Sequence, residues 1–291
     1  LEEWAAQRPL FRKAFKLYLP DARGHAGTRW DAAEGFDKEL LVADLAAFVD
    51  ALDLETFHLV GFSMGAMTSL TFATRHPERL RTALIAGIDV QREPRARIAA
   101  RMMDPERIER EEASWAERLR RRHDPVQGKD AWRRLLPAIA GDVATQPLLT
   151  PGELRRARLP ILLAYGDRDV FVPAGHAVAL QRQLPDARLL IAPDCGHQVQ
   201  IERPGLFNDA ANVFYRSTER VARERASAGV QRQLSARVGG LPAGRVAGQA
   251  AGRTAAPGPA AMVLDPTAPV SNDPAMPRRD AQREQEWFEL W

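Results

Sequence analysis

Apolar side chains recur along the first two-thirds of the chain with two alternating periods. Residues 2–13, EEWAAQRPLFRK, space them as one face of an amphipathic helix, and AFKLYLPD, 14–21, follows as a short apolar strand. The polar, glycine-containing stretch ARGHAGT, 22–28, predicts a loop. Residues 36–52 place Phe36, Leu40, Leu41, Leu45, Phe48 and Leu52 at helical spacing, so that helix buries one face. FHLVGF, 57–62, predicts a strand, and 64–75 a helix that closes where His76 precedes Pro77. LRTALIAGI, 80–88, LPILLAY, 159–165, and ARLLIAP, 187–193, predict three further strands; helices are expected over 174–184 and near 204–216.

Between 92 and 150 the texture is charged and helical. Asp104-Pro105 offers an N-cap followed by proline at the first helical position, and the helix it opens, through about Arg121, carries only a narrow apolar stripe of Ile108, Trp115 and Leu119. Thr150-Pro151 repeats the start signal. Strands alternating with helices predict an α/β fold with a doubly wound, mostly parallel sheet and helices on both faces. The block at 92–150 is too long for a crossover and reads as a helical lid inserted at one edge of the sheet. Residues 1–216 then form the core with its lid. Residues 217–291, rich in Ala, Gly, Arg and Pro, read as a low-complexity, disordered tail or linker that ends on the apolar REQEWFELW.

Composition narrows the function. Of 291 residues, 45% are apolar and 27% charged, the balance of an ordinary globular protein. The net charge of +3 is spread along the chain, which argues against a basic face for nucleic acid. A single cysteine, Cys195, excludes an intramolecular disulfide. No apolar run approaches the length that spans a bilayer, so no membrane partner is expected. The chain starts at Leu1 without a visible signal peptide, and the cytoplasm is the expected location.

The chemistry concentrates at Gly61-Phe62-Ser63-Met64-Gly65, a G-x-S-x-G pattern between an apolar strand and a helix. A sharp strand-to-helix turn would push the Ser63 hydroxyl out of the sheet, the flanking glycines would leave room for neighbouring backbone, and the helix N-terminus would offer a dipole end and a free N–H to an oxyanion. A serine nucleophile needs a base, and the base an orienting acid. AYGDRDVFVP supplies Asp167 and Asp169 at a strand end, and APDCGHQ supplies His197 after the last strand. His25, His58, His76, His123 and His176 show neither metal spacing nor strand-end context and are read as structural or solvent-facing.

In that order of Ser, acid and His, the chain resembles the α/β-hydrolase fold family over residues 1–216. The resemblance implies Asp169 rather than Asp167 as the acid, because it stands three residues after Gly166 and before Val172-Pro173. His197 matches the family's histidine, and Asp21 with Arg23-Gly24-His25 matches its D-x-R-G-x-G loop, with Ala26 where glycine is usual. The implied activity is a serine hydrolase cleaving an ester-like acyl bond of a small molecule, with no cofactor and no metal. The Met64 N–H would be one oxyanion donor, and Met102, Met103 and Trp115 would shape an apolar acyl pocket. Two rivals share the residues: a cofactor-free perhydrolase or acyltransferase, and a non-catalytic ligand-binding remnant. The serine argues against epoxide-hydrolase or dehalogenase chemistry, which resembles an aspartate-nucleophile design.

The resemblance also implies an earlier strand ending in a His-Gly loop that completes the oxyanion hole. Neither stands in this sequence, which reads as an N-terminally incomplete copy. On that reading the chain is expected to be poorly stable and nearly inactive, since one lost oxyanion donor costs on the order of 10²–10³ in turnover. A thermal unfolding curve and an esterase assay check it; a sharp transition with robust turnover would contradict it.

Overall fold

The strands in the middle of the sheet are apolar on both sides, and that double burial organises the molecule. The computed structural model describes residues 2–238. Its elements run α1 (Arg8–Phe11), α2 (Lys38–Ala51), β1 (Phe57–Phe62), α3 (Met64–Arg75), β2 (Leu80–Ala86), α4 (Arg95–Met102), α5 (Pro105–Glu111), α6 (Ala113–Gln127), α7 (Trp132–Thr145), α8 (Pro151–Leu154), β3 (Ile161–Gly166), α9 (Ala174–Gln183), β4 (Ala187–Ala192), α10 (Val199–Glu202) and α11 (Pro204–Val238). The four described strands form one parallel sheet in the order β1-β2-β3-β4, with Val60 opposite Leu84 and Leu84 opposite Leu162.

Side chains alternate across a pleated strand, and here both faces are apolar. Ala83 and Ile85 of β2 and Ile161, Leu163 and Tyr165 of β3 enter one core, with Val49 of α2, Leu70 and Phe72 of α3 and Leu180 of α9. Leu84, Ala86, Leu162 and Ala164 enter the opposite core, with Phe207, Phe214 and Tyr215 of α11. Helices therefore cover both faces, as the alternation of elements predicts.

The segment between β2 and β3 is a helical insertion, α4–α7, with its own core around Ile108, Trp115, Leu119, Trp132 and Leu135. Because β2 and β3 are neighbours inside the described sheet, the insertion rises from mid-sheet and not from an edge as expected. The helix expected to run unbroken from Pro105 to about Arg121 divides at Glu112, whose φ of −137° and ψ of 50° are not helical. Asp104 caps α5 as anticipated, accepting from the Glu106 N–H at 3.0 Å. The insertion is clasped to the 22–30 loop from α6. His123 Nδ1 accepts the Ala26 N–H at 3.1 Å, and Gln127 Nε2 donates to the Thr28 carbonyl at 2.6 Å.

Other expectations are corrected at the N-terminus and at the end of the core. Residues 14–21 form no strand: no described strand runs beside them, and an extended segment without a ladder partner is coil. The helix expected over 2–13 is a 3₁₀ turn, Glu2–Trp4, and the four-residue α1, because Pro9 lacks an N–H and suits only a helix start. Trp4 and Phe11 instead pack against Phe207 and Tyr215, with ring centroids 6.1 and 5.8 Å apart. Ala26, where the family usually has glycine, adopts φ 40°, so the loop keeps its left-handed turn at a cost in strain. The tail expected from 217 does not begin there. α11 continues to Val238, since 217–238 is mostly Ala, Arg, Glu, Gln and other residues that tolerate a helix. The disordered tail expected beyond this, with REQEWFELW, lies outside the described residues.

One half-buried histidine, His58, and one buried histidine, His123, are expected to make this fold acid-sensitive. His58 lies against Phe15 and Tyr215, and its Nδ1 is 2.7 Å from Thr82 Oγ1. Burial pushes His58 down to about 4, and burial aided by the neighbouring His25 does the same to His123. Both folded values lie below the ordinary 6.5, so the unfolded chain binds these protons first. Their contribution is present above about 6.5 and is lost as the pH falls toward 4. In His58→Gln, the stability gap to the unsubstituted chain is therefore expected to shrink between pH 7 and 4, measured by urea unfolding; a constant gap contradicts this.

Candidate active site

Every side chain of the predicted triad follows the C-terminal end of a parallel strand, where α/β sheets open their crevice. Ser63 follows β1 directly and opens α3, with φ 50° and ψ −115°. A non-glycine residue in that region costs of order 1–3 kcal/mol, so the surrounding structure must enforce it. Its N–H is fixed to the Ala86 carbonyl at 2.9 Å and its carbonyl accepts from Met67 at 3.0 Å. The two glycines contribute unequally. A Cβ at Gly61 would run into the Gly65 carbonyl oxygen and lie 2.5 Å from Ser69 Oγ, whereas one at Gly65 would meet nothing within 4 Å. Gly61 is thus the glycine that crowding requires.

The other two residues converge on that hydroxyl. His197 Nε2 lies 3.0 Å from Ser63 Oγ, and His197 Nδ1 lies 2.8 Å from Asp169 Oδ2. A carboxylate only accepts, so Nδ1 carries the proton and Nε2 is left to accept from the serine. Asp169 has no exposed side-chain surface. Its second oxygen, Oδ1, accepts the N–H groups of Phe171 at 2.8 Å and Val172 at 3.1 Å, which fixes the carboxylate in the turn after β3. Asp167 is outside this relay; its Oδ1 accepts the Cys195 N–H at 3.0 Å and anchors the histidine loop. Phe62 and Phe171 lie against the imidazole, with ring centroids 4.9 and 4.5 Å away. That loop crosses so close above β3 that a Cβ on Gly166 would collide with the Cys195 and Gly196 carbonyl oxygens.

Sequence reasoning missed Glu202. Its carboxylate accepts the N–H groups of Gly196 at 2.5 Å and Gln198 at 3.0 Å, bracketing His197. The available signal was local: two loop amides beside the histidine need acceptors, and an acid stands five residues downstream.

Ser63 opens into a narrow cleft between the strand ends and the insertion, whose empty space, the open solvent at its mouth included, is about 450 Å³. Its walls are largely apolar, formed by Leu41, Met64, Met103, Ile139, Val143 and Phe171. Met103, expected as a pocket residue, lines it, and so does Met64, expected as an oxyanion donor. Met102 and Trp115 do not line it: Met102 packs in the main core and Trp115 in the core of the insertion, each at most 7% exposed. Trp115 and Met102 face away because α6 and α4 bury their apolar stripes against neighbouring helices. Besides Ser63, five polar side chains also line the cavity and were not anticipated: Lys38, Thr68, Arg95, Asp142 and Gln146. In a block as charged as 92–150, nothing in the sequence separates an inward arginine from a solvated one. Among the described residues, no cluster of three or more His, Cys, Asp or Glu is placed to hold a metal, and no helix is long and apolar enough to cross a membrane.

A serine in a strained strand-to-helix turn after β1, a buried carboxylate after β3 and an imidazole after β4 make a site of the α/β-hydrolase kind. The chain belongs to the alpha/beta hydrolase family, whose model matches residues 2–210. It is 27% identical over 229 residues to a 2-hydroxy-6-oxo-6-phenylhexa-2,4-dienoate hydrolase of Burkholderia cepacia, covering 69% of this chain and 77% of that one. It is 26% identical to the serine hydrolase BPHL of Mus musculus, covering 70% and 71%. The enol-lactonase from Burkholderia xenovorans shares the fold with a TM-score of 0.57 at 21% identity, covering 74% of this chain and 86% of that one. The protein is a hydrolase of this family.

Gly61→Ala tests the crowding that holds the turn. Placing a methyl against Gly65 and Ser69 is expected to cost about 1–3 kcal/mol of unfolding free energy, while Gly65→Ala costs less. Equal losses in the two variants would show that crowding does not shape the turn.

Proposed function

We propose that the chain is a serine hydrolase that cleaves an ester-like acyl bond of a small molecule through an acyl-enzyme. The observation that carries this reading is the unbroken relay from Asp169 through His197 to Ser63, with bonds of 2.8 and 3.0 Å. Ser63 Oγ attacks the acyl carbon as His197 Nε2 takes the hydroxyl proton. The carbonyl oxygen gains negative charge beside the N–H of Met64, which stands at the first position of α3 and has no partner within the helix. When the tetrahedral adduct collapses, the bond to the leaving group breaks and His197 returns its proton there. Water, deprotonated by the same imidazole, then attacks the acyl-enzyme and frees Ser63. Asp169 keeps the ring in the required tautomer and balances the imidazolium.

The relatives support hydrolysis while differing in the bond cleaved: their names describe a dienoate hydrolase and a serine hydrolase, and the fold neighbour is an enol-lactonase. Ester, lactone and carbon–carbon bonds next to a carbonyl are all cleaved at an acyl carbon, so the same groups serve each.

A fluorophosphonate probe is expected to label the full chain at Ser63 and to label Ser63→Ala not at all. Asp169→Asn is expected to lower kcat by about 10⁴-fold, the scale seen when a triad aspartate is made neutral. No labelling of the folded chain would favour a binding protein. Product that appears only when peroxide or an alcohol is present would replace water with another acyl acceptor.

A further inference from the structure

The cavity lining holds a charge that has no bonded counter-ion among the described residues. Arg95, in α4, is 5% exposed and lines the same cavity as Ser63. Its Nε is buried with no hydrogen-bond partner, and its one hydrogen bond, from Nη2 to the Gln91 carbonyl, is long at 3.5 Å. A guanidinium has five N–H donors, and a buried cation in this condition is costly unless something satisfies it.

The neighbouring charges are already engaged. Lys38 Nζ donates to the Pro147 carbonyl at 2.6 Å and lies 3.8 Å from Glu39. Asp142 Oδ1 accepts the Lys38 N–H at 3.0 Å. Asp89 accepts from Gln91 N–H at 3.2 Å and faces His176 Nδ1 at 2.6 Å. Asp89 and Asp142 favour the charge on Arg95 through their fields, yet neither forms an ion pair with it among the described residues. Burial penalises the charge of both cations and holds each below its ordinary pKa. Gln146, 5% exposed on the same wall, also has an unpartnered buried side-chain oxygen.

We propose that Arg95 is a specificity residue that receives a carboxylate of the substrate, so the preferred substrate is an apolar acyl compound carrying one negative group. This rests on the serine-hydrolase reading for its reaction and on the cavity geometry for the charge. The planar fork of a guanidinium matches a carboxylate with two parallel bonds, the arrangement that its unsatisfied donors lack. The apolar lining takes the rest of the molecule.

The test is competition for the cavity, with hexanoate and hexanamide as a charged and a neutral probe of nearly equal shape. In the full chain, hexanoate is expected to slow fluorophosphonate labelling of Ser63 at concentrations roughly 10- to 100-fold below those hexanamide needs, the scale of a charge-assisted hydrogen bond. In Arg95→Met the difference is expected to vanish, and in Arg95→Lys to return in part. Arg95→Met should keep a cooperative thermal transition, because replacing an unpaired buried charge by an apolar side chain is often neutral or stabilising. Equal protection by both probes, or a preference that survives in Arg95→Met, overturns the proposal. The thermal shift given by each probe is read in parallel on Ser63→Ala and on Ser63→Ala with Arg95→Met. That comparison judges the carboxylate site even if Ser63 takes no label, an outcome that would sink only the hydrolase reading.

Discussion

The backbone of Ser63, held at a positive φ between a strand and a helix, is the constraint on which the site depends. No L-residue adopts that conformation without cost, and the opposing support is visible on both sides of it. The Ala86 carbonyl pins the Ser63 amide from the neighbouring strand, and the missing Cβ of Gly61 lets α3 start close against β1. Once the turn is set, the hydroxyl has one direction to point, and the first free amide of α3 stands beside it. The geometry of Ser63 is thus a property of the sheet packing. The serine side chain in return bonds to His197.

The same reasoning extends to the partners. Asp169 is held by two amides of its own turn, and His197 by a loop fixed from both directions: Asp167 takes the Cys195 amide, and Glu202 takes the amides on either side of the imidazole. Of these three acids, Asp169 bonds to the ring and the other two hold its loop. Separating the roles this way lets the ring sit between Phe62 and Phe171 in an apolar setting, where its bonds to Ser63 and Asp169 face little competition from water.

Much of this was legible in the residues because strand periodicity and turn chemistry are local. The doubly apolar runs around Leu84 and Leu162 announce central strands, and Gly61-Phe62-Ser63-Met64-Gly65 announces the turn. Residues 14–21 were misread because apolar composition alone does not make a strand; a partner does. The insertion was legible as helical, but its break at Glu112 was not, since nothing in a uniformly charged stretch marks where the chain changes direction. Met102 and Met103 show the limit most sharply. Met102 ends α4 and enters the main core, whereas Met103, one residue past it, packs in the core of the insertion and lines the cavity. No adjacent pair can be sorted that way without knowing what the helix lies on.

The insertion leaves the sheet after β2 and returns before β3, while the nucleophile, acid and histidine all sit on strand ends outside it. Part of the cavity wall, including Arg95, Met103, Ile139 and Val143, consequently lies on a stretch of chain apart from these three residues. Drift in residues 92–150 can redraw the binding wall, including where a charge stands, and leave the proton path untouched. A lineage built on this plan can change its diet one helix at a time.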